Sequence, residues 1–220
     1  MYIRKKWLSI LNKLALALSA IVGLAIQFGV LEGSLDLSLL NYFTILSNLV
    51  CVFTTGSQAV LLMRGDDPDK IPLLSYTLKG VSMMNLTVTM LVAHFLLKDT
   101  FTMSGIKNFS VDLLHYVVPI LALVDWLLYD PKGMIRGTSP LLWAVAPLLY
   151  FVYAIIAAQI GDGIGYGSRY PYPFMDADLL GWGQVLINVA GLTVAFIALG
   201  YVFLGVDRIL THRRMIHQVQ

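Results

Sequence analysis

The chain is poor in charge and nearly without cysteine. Charged residues make up 13% of its 220 positions, about half of the ~25% usual in soluble domains. Basic and acidic side chains nearly cancel, leaving a formal net charge of +2. No basic stretch is interleaved with aromatics, which argues against nucleic acid as a partner. The single cysteine, Cys51, excludes an internal disulfide and a zinc or redox dithiol motif. Inside an apolar helix it reads as a packing residue. Metal-ligand clusters, Gly-rich nucleotide loops and GxSxG elbows are missing, so neither a metal nor a cofactor is expected. No segment alternates with the period of two that barrel strands need. Repeats, low-complexity tracts and charged linkers are lacking as well, and residues 1–220 are expected to form one domain.

Apolar residues are what the chain has in quantity: 58% of the positions, with a mean hydropathy of +0.76. About 20 apolar residues suffice for a helix to cross ~30 Å of hydrocarbon. Six runs meet or approach that length: Leu8–Leu31, Leu40–Met63, Leu73–Leu97, Leu113–Tyr129, Pro140–Ile160 and Gly181–Leu204. The expected fold is all-α, a polytopic membrane protein built as a bundle of six transmembrane helices. The opening MYIRKKW and its apolar run resemble a secretory signal, but the run is long for one and fits a first span. Lysine and arginine set orientation. Eleven of them fall in the N-terminus, the second and fourth loops and the tail, against three in the opposite loops. Both termini are therefore expected in the cytoplasm, with the cell membrane as the location.

Within the second span, NYFTILSNLVCVFTTGSQ carries a polar residue almost every turn. Asn41, Thr44, Ser47, Asn48, Cys51, Thr55 and Gln58 recur at spacings of three and four, one stripe on a helix. Lipid cannot satisfy such a stripe, so it should face the bundle interior or a wet cavity. With the expected topology, Thr44 lies near the outer end of span two and His115, in LLHYVVP, near the outer end of span four. A hydroxyl is a weak nucleophile that needs a base, and imidazole titrates near neutrality. The pair would suit attack on an ester carbonyl. The plainer alternative makes His115 an interfacial histidine and bonds Thr44 back to its own helix carbonyl.

Ser47 and Asn48, one turn from Thr44, and Asn41 are candidates for substrate binding or for holding an oxyanion. Asn48 would otherwise bond across helices. Asp112, three residues before His115, would either orient the ring or stand solvated in the loop. His94, near the outer end of span three, would line the same cavity or sit at the interface with water. Two such histidines also admit a haem-containing redox protein as a third class. Lys79 and Asp125 fall in facing parts of a consecutive antiparallel hairpin, and a structural ion pair between them is expected. Pro119 and Pro147 lie within spans and should kink them. The segment GDGIGYGSRYPYPFMDADLL between the last two spans reads as an interfacial connector, or alternatively as a lid.

NYFTILSN at residues 41–48, LLHYVVPILALVDWLLYD at 113–130 and YPYPFMD at 170–176 resemble the bacterial branch of the androgen-induced protein one / androgen-dependent TFPI-regulating protein family. These motifs span most of the chain. The animal members are membrane threonine hydrolases that cleave fatty acid esters of hydroxy fatty acids. The resemblance implies a lipid esterase with Thr44 as nucleophile, His115 as its partner and a membrane lipid or fatty acid ester as substrate. It implies no role for the YPYPFMD loop, which belongs to the bacterial branch. The competing class is a non-catalytic membrane protein that binds or transports a lipid or small amphiphile.

Overall fold

A computed structural model describes Ile3 and residues 5–98, 105–161 and 168–219, with side chains of the last helix up to residue 212. Parts of the two longest far-side connectors, at 99–104 and 162–167, lie outside the described residues. So do Arg4 and the side chains of Arg213 and Arg214, three members of the basic count.

Six helices are long and apolar enough to span a membrane. They comprise α1 (Lys6–Gln27), α2 (Phe43–Met63), α3 (Leu73–Val92), α4 (Gly105–Asp112) continued by α5 (Val118–Tyr129), α6 (Ser139–Trp143) continued by α7 (Val145–Ile160), and α8 (Ala177–Val219). Wide π turns prolong α3 at Ala93–Leu97 and join α4 to α5 at Leu113–Val117. The two spans built of two helices each, α4–α5 and α6–α7, carry a proline just past the break. Pro119 has no N–H for the carbonyl four residues back, that of His115, and its ring crowds that carbonyl. The helix widens there into the π turn, a distortion common at functional sites. Pro147 stands in the same relation to Trp143, where α6 gives way to α7.

Several ends differ from the sequence expectation. The first helix stops at Gln27 rather than Leu31, because Gly29 turns left-handed with φ 74° and the chain folds back so that Asp36 N–H reaches the Phe28 carbonyl at 3.0 Å. The second starts at Phe43 rather than Leu40, since Leu37–Asn41 form a tight turn whose start is capped by the Asp36 carboxylate. The fourth begins at Gly105, eight residues before Leu113. Its polar first turns are held at the bundle end by Lys107 against Glu32 (3.3 Å) and by Gln27, which donates to Ser110 Oγ at 2.8 Å. The last helix starts at Ala177, bends at Gly181 (φ 74°, ψ 152°) and runs past Leu204 to Val219.

The third span is central, with 56% of its most apolar stretch buried, whereas the fifth and sixth bury 22% each. Leu16 and Ala20 of α1, Cys51 of α2, Leu86 of α3 and Val118 and Ala122 of α5 form the middle of the core. The polar stripe of α2 turns into this interior: Thr44, Ser47, Asn48, Cys51, Thr55 and Gln58 are all buried, and Asn41 is half-buried. Close approaches at glycine set the helix spacing. A Cβ on Gly23 of α1 would lie 2.6 Å from Leu114, in the turn that carries His115, and one on Gly200 of α8 would lie 3.0 Å from Pro140 Cα.

Toward the other end of the bundle, Lys79 pairs with Asp125. The pair is half of a larger network. Lys13 of α1 contacts Asp125 at 2.8 Å and Asp130 at 3.2 Å, and Lys79 contacts Asp130 at 2.5 Å. Asn12 donates to Asp125 Oδ1 at 2.9 Å. Two ammoniums and two carboxylates, all buried, balance to zero and tie together the first, third and fourth spans. Lys13 is thus an interior residue and not a flanking charge at the membrane surface. Nearby, Lys132 is also buried, donates to the Trp126 and Asp130 carbonyls and lies 5.0 Å over the Trp126 ring. Burial lowers its ammonium to about 8, against the opposing pull of Asp130.

Candidate functional site

Thr44 is the second residue of α2. This placement decides what its hydroxyl can do. Threonines deeper in helices bond back one turn: Thr54 to the Val50 carbonyl, Thr87 to Met83, Thr193 to Val189. At the first turn no helical carbonyl lies one turn back. The Thr44 hydroxyl instead meets His115 Nε2 at 3.2 Å, across 71 residues of sequence. Both side chains are buried to 8% residual exposure, so bulk water does not compete for the contact.

The other ring nitrogen settles the tautomer. His115 Nδ1 lies 2.9 Å from the Val111 carbonyl, which only accepts. Nδ1 therefore carries the proton, and Nε2 presents a lone pair to the threonine O–H. A backbone carbonyl, and not a carboxylate, orients the ring. Asp112 is exposed and does not orient the ring.

The pair opens into an apolar pocket whose empty space, together with the solvent at its open mouth, is about 640 Å³. Phe43 and Thr44 of α2, Val88, Thr89 and Val92 of α3, His115, and residues of α7 and α8 form its walls. Few polar atoms face it. Thr193 is committed to its own helix, and Tyr150 donates to the Asn41 carbonyl at 2.8 Å. The Thr89 hydroxyl is buried without a hydrogen-bond partner.

The YPYPFMD segment lines this pocket, a place that fits the lid alternative better than a plain interfacial connector. Tyr172, Phe174 and Met175 are part of the wall. Tyr172 Oη accepts from the Phe43 N–H at 3.0 Å, one residue from Thr44. The Tyr172 and Phe174 rings stack at 5.3 Å and 4°. Asn188 of α8 donates to the Phe174 carbonyl at 3.0 Å. The Asp176 carboxylate accepts from Ser168 Oγ at 2.7 Å and from the Asp178 and Leu179 amides at 3.0 Å each, capping α8. The Ser168 hydroxyl, then those amides, hold it below the usual carboxylate range. The segment is a built wall and not a loose connector.

Other residues expected near the chemistry sit elsewhere. Asn48 is buried, but its amide donates to the Thr44 carbonyl at 2.8 Å and the Leu114 carbonyl at 3.4 Å. It pins the helix start to the turn bearing His115, and its NH2 is not aimed at the pocket. Ser47 is buried without a partner and is not on the pocket wall. Asn41 uses its carbonyl for Tyr150 and its side chain for Tyr153. His94 is exposed and packs edge-on against Phe95 and Tyr116, so it does not share the pocket and no bis-histidine site forms with His115. Groups of three or more possible metal ligands do not occur among the described residues.

No protein-family model, no curated protein and no solved structure matches the chain.

Proposed function

We propose that the protein is an intramembrane threonine hydrolase of lipid esters, such as fatty acid esters of hydroxy fatty acids, related to the androgen-induced protein one family. The observation that carries the reading is the contact of Thr44 Oγ1 with His115 Nε2, on a ring whose Nδ1 faces a carbonyl, inside an apolar pocket. Attack by Thr44 Oγ on the ester carbonyl carbon forms one C–O bond, moves the carbonyl π pair onto oxygen and passes the hydroxyl proton to His115 Nε2. Collapse breaks the bond to the alcohol, which leaves with that proton and yields an acyl-threonine. Water then attacks the acyl carbon, gives its proton to His115, and Thr44 departs by taking it back. The apolar walls suit acyl chains.

Fluorophosphonate labelling tests the assignment. The wild type is expected to be labelled and Thr44→Ala not. Labelling of both to the same extent, or of neither, rejects the nucleophile, and absence of labelling is the behaviour of a lipid binder without turnover.

We also infer that both termini are cytoplasmic, in the cell membrane. Without the buried Lys13 and Lys132, nine basic residues remain on that side against three. The site would then lie under the outer surface. A membrane-impermeant thiol reagent should modify a cysteine placed at Ser34 of intact cells and leave one at Asp69 unmodified; the reverse pattern would invert the topology.

A further inference from the structure

Acyl transfer to a threonine needs a donor for the negative charge that develops on the carbonyl oxygen, positioned about 2.7–3.1 Å from it. The polar residues around Thr44 leave few choices. Asn48 has its NH2 turned to two backbone carbonyls, Ser47 is off the wall, and Asn41 and His94 are outside the pocket. Tyr172 remains. Its hydroxyl lies at the first turn of α2, accepts from the Phe43 N–H at 3.0 Å, and is in contact with both the hydroxyl and the amide of Thr44.

We propose, on the hydrolase reading above, that Tyr172 is a catalytic residue whose phenolic O–H donates to the oxyanion formed when Thr44 attacks the ester. The phenol oxygen's lone pair takes the Phe43 N–H, and its hydroxyl also meets those of Tyr150 and Thr44, so its hydrogen would turn from these neighbours to the oxyanion when the ester binds. An accepted hydrogen bond polarises the O–H and strengthens its donation. The positive end of α2 adds to the field at the same point. Burial pushes the phenol above its ordinary range, against the opposing contacts with Thr44 and Phe43, so the group keeps the proton it must donate. Ring packing with Phe174 and Tyr150 fixes its position, and those ring contacts are retained in phenylalanine.

The test compares the full-length wild type with Tyr172→Phe on a fatty acid ester and on the thionoester of the same acid and alcohol. Sulfur accepts hydrogen bonds poorly, so an oxyanion donor shows itself as a preference for the oxygen ester. Tyr172→Phe is expected to lower kcat on the oxygen ester by about 10²–10³-fold and to reduce the oxygen-to-sulfur rate ratio by a similar factor. An unchanged ratio, whatever happens to KM or thermal stability, overturns the role and leaves a structural one. A faster oxygen ester also overturns it, since the phenol would then be a plug in the site. If the wild type turns over neither ester, the hydrolase reading itself fails, and this role with it.

Discussion

Asp125→Asn is expected to destabilise the bundle by about 3–5 kcal/mol, the cost of stranding buried charge. Asp125 is the hub of the network: it accepts from Asn12, Lys13 and Lys79, which come from two other helices. The variant keeps the shape of the side chain and removes its charge, so two buried ammoniums then face Asp130 alone. Lipid offers neither one water nor a counter-ion. Lys79→Met should also destabilise, by leaving two carboxylates with Lys13. The double variant Lys79→Met/Asp125→Asn restores balance, with Lys13 still beside Asp130 at 3.2 Å, and should lose less than the sum of the two single changes. Thermal unfolding of the purified protein in detergent measures all three. Single variants within about 1 kcal/mol of wild type would show that the charges are not dry.

Thr44→Ala is expected to reduce kcat by about 10³-fold or more, and His115→Gln by about 10²–10⁴-fold. Glutamine fills much of the imidazole's space but cannot carry a proton at neutral pH. Thr44→Ser keeps the hydroxyl and should retain turnover, losing only what the methyl group contributes to holding its rotamer. In the proposed mechanism the two residues act on one proton, so their losses should not add: Thr44→Ala/His115→Gln should be about as slow as the slower single variant. Kinetics on a branched fatty acid ester would decide. Additive losses would mean that the two side chains act independently and that their 3.2 Å contact is packing only.

Much of this arrangement can be read from residue order. Six apolar runs, the inward polar stripe of α2 and the Lys79–Asp125 pairing all follow from the intolerance of hydrocarbon for unsatisfied charge and hydrogen-bonding groups. Even the nearness of Thr44 and His115 follows in part, because hairpin topology puts both at one depth. Depth is a one-dimensional quantity, however, and says nothing about which way a helix is turned. By depth His94 is equivalent to His115, yet one is exposed and the other buried against Thr44. Lys13 reads as a flanking charge from its position near the chain start, and only the packing of α1 on α5 carries it to Asp125 and Asp130.

The sequence by itself determined the solvent, the number of spans and the residues that must avoid lipid, since these depend on composition and on periodicity within single helices. Only the tertiary structure decided which polar groups share a pocket. Tyr172 reaches the start of α2 across 129 residues, and its segment bears only the local marks of a turn. Helix rotation, the π turn opened ahead of Pro119 and the folding of the 168–176 segment onto the bundle depend on long-range packing, which leaves no pattern in neighbouring residues.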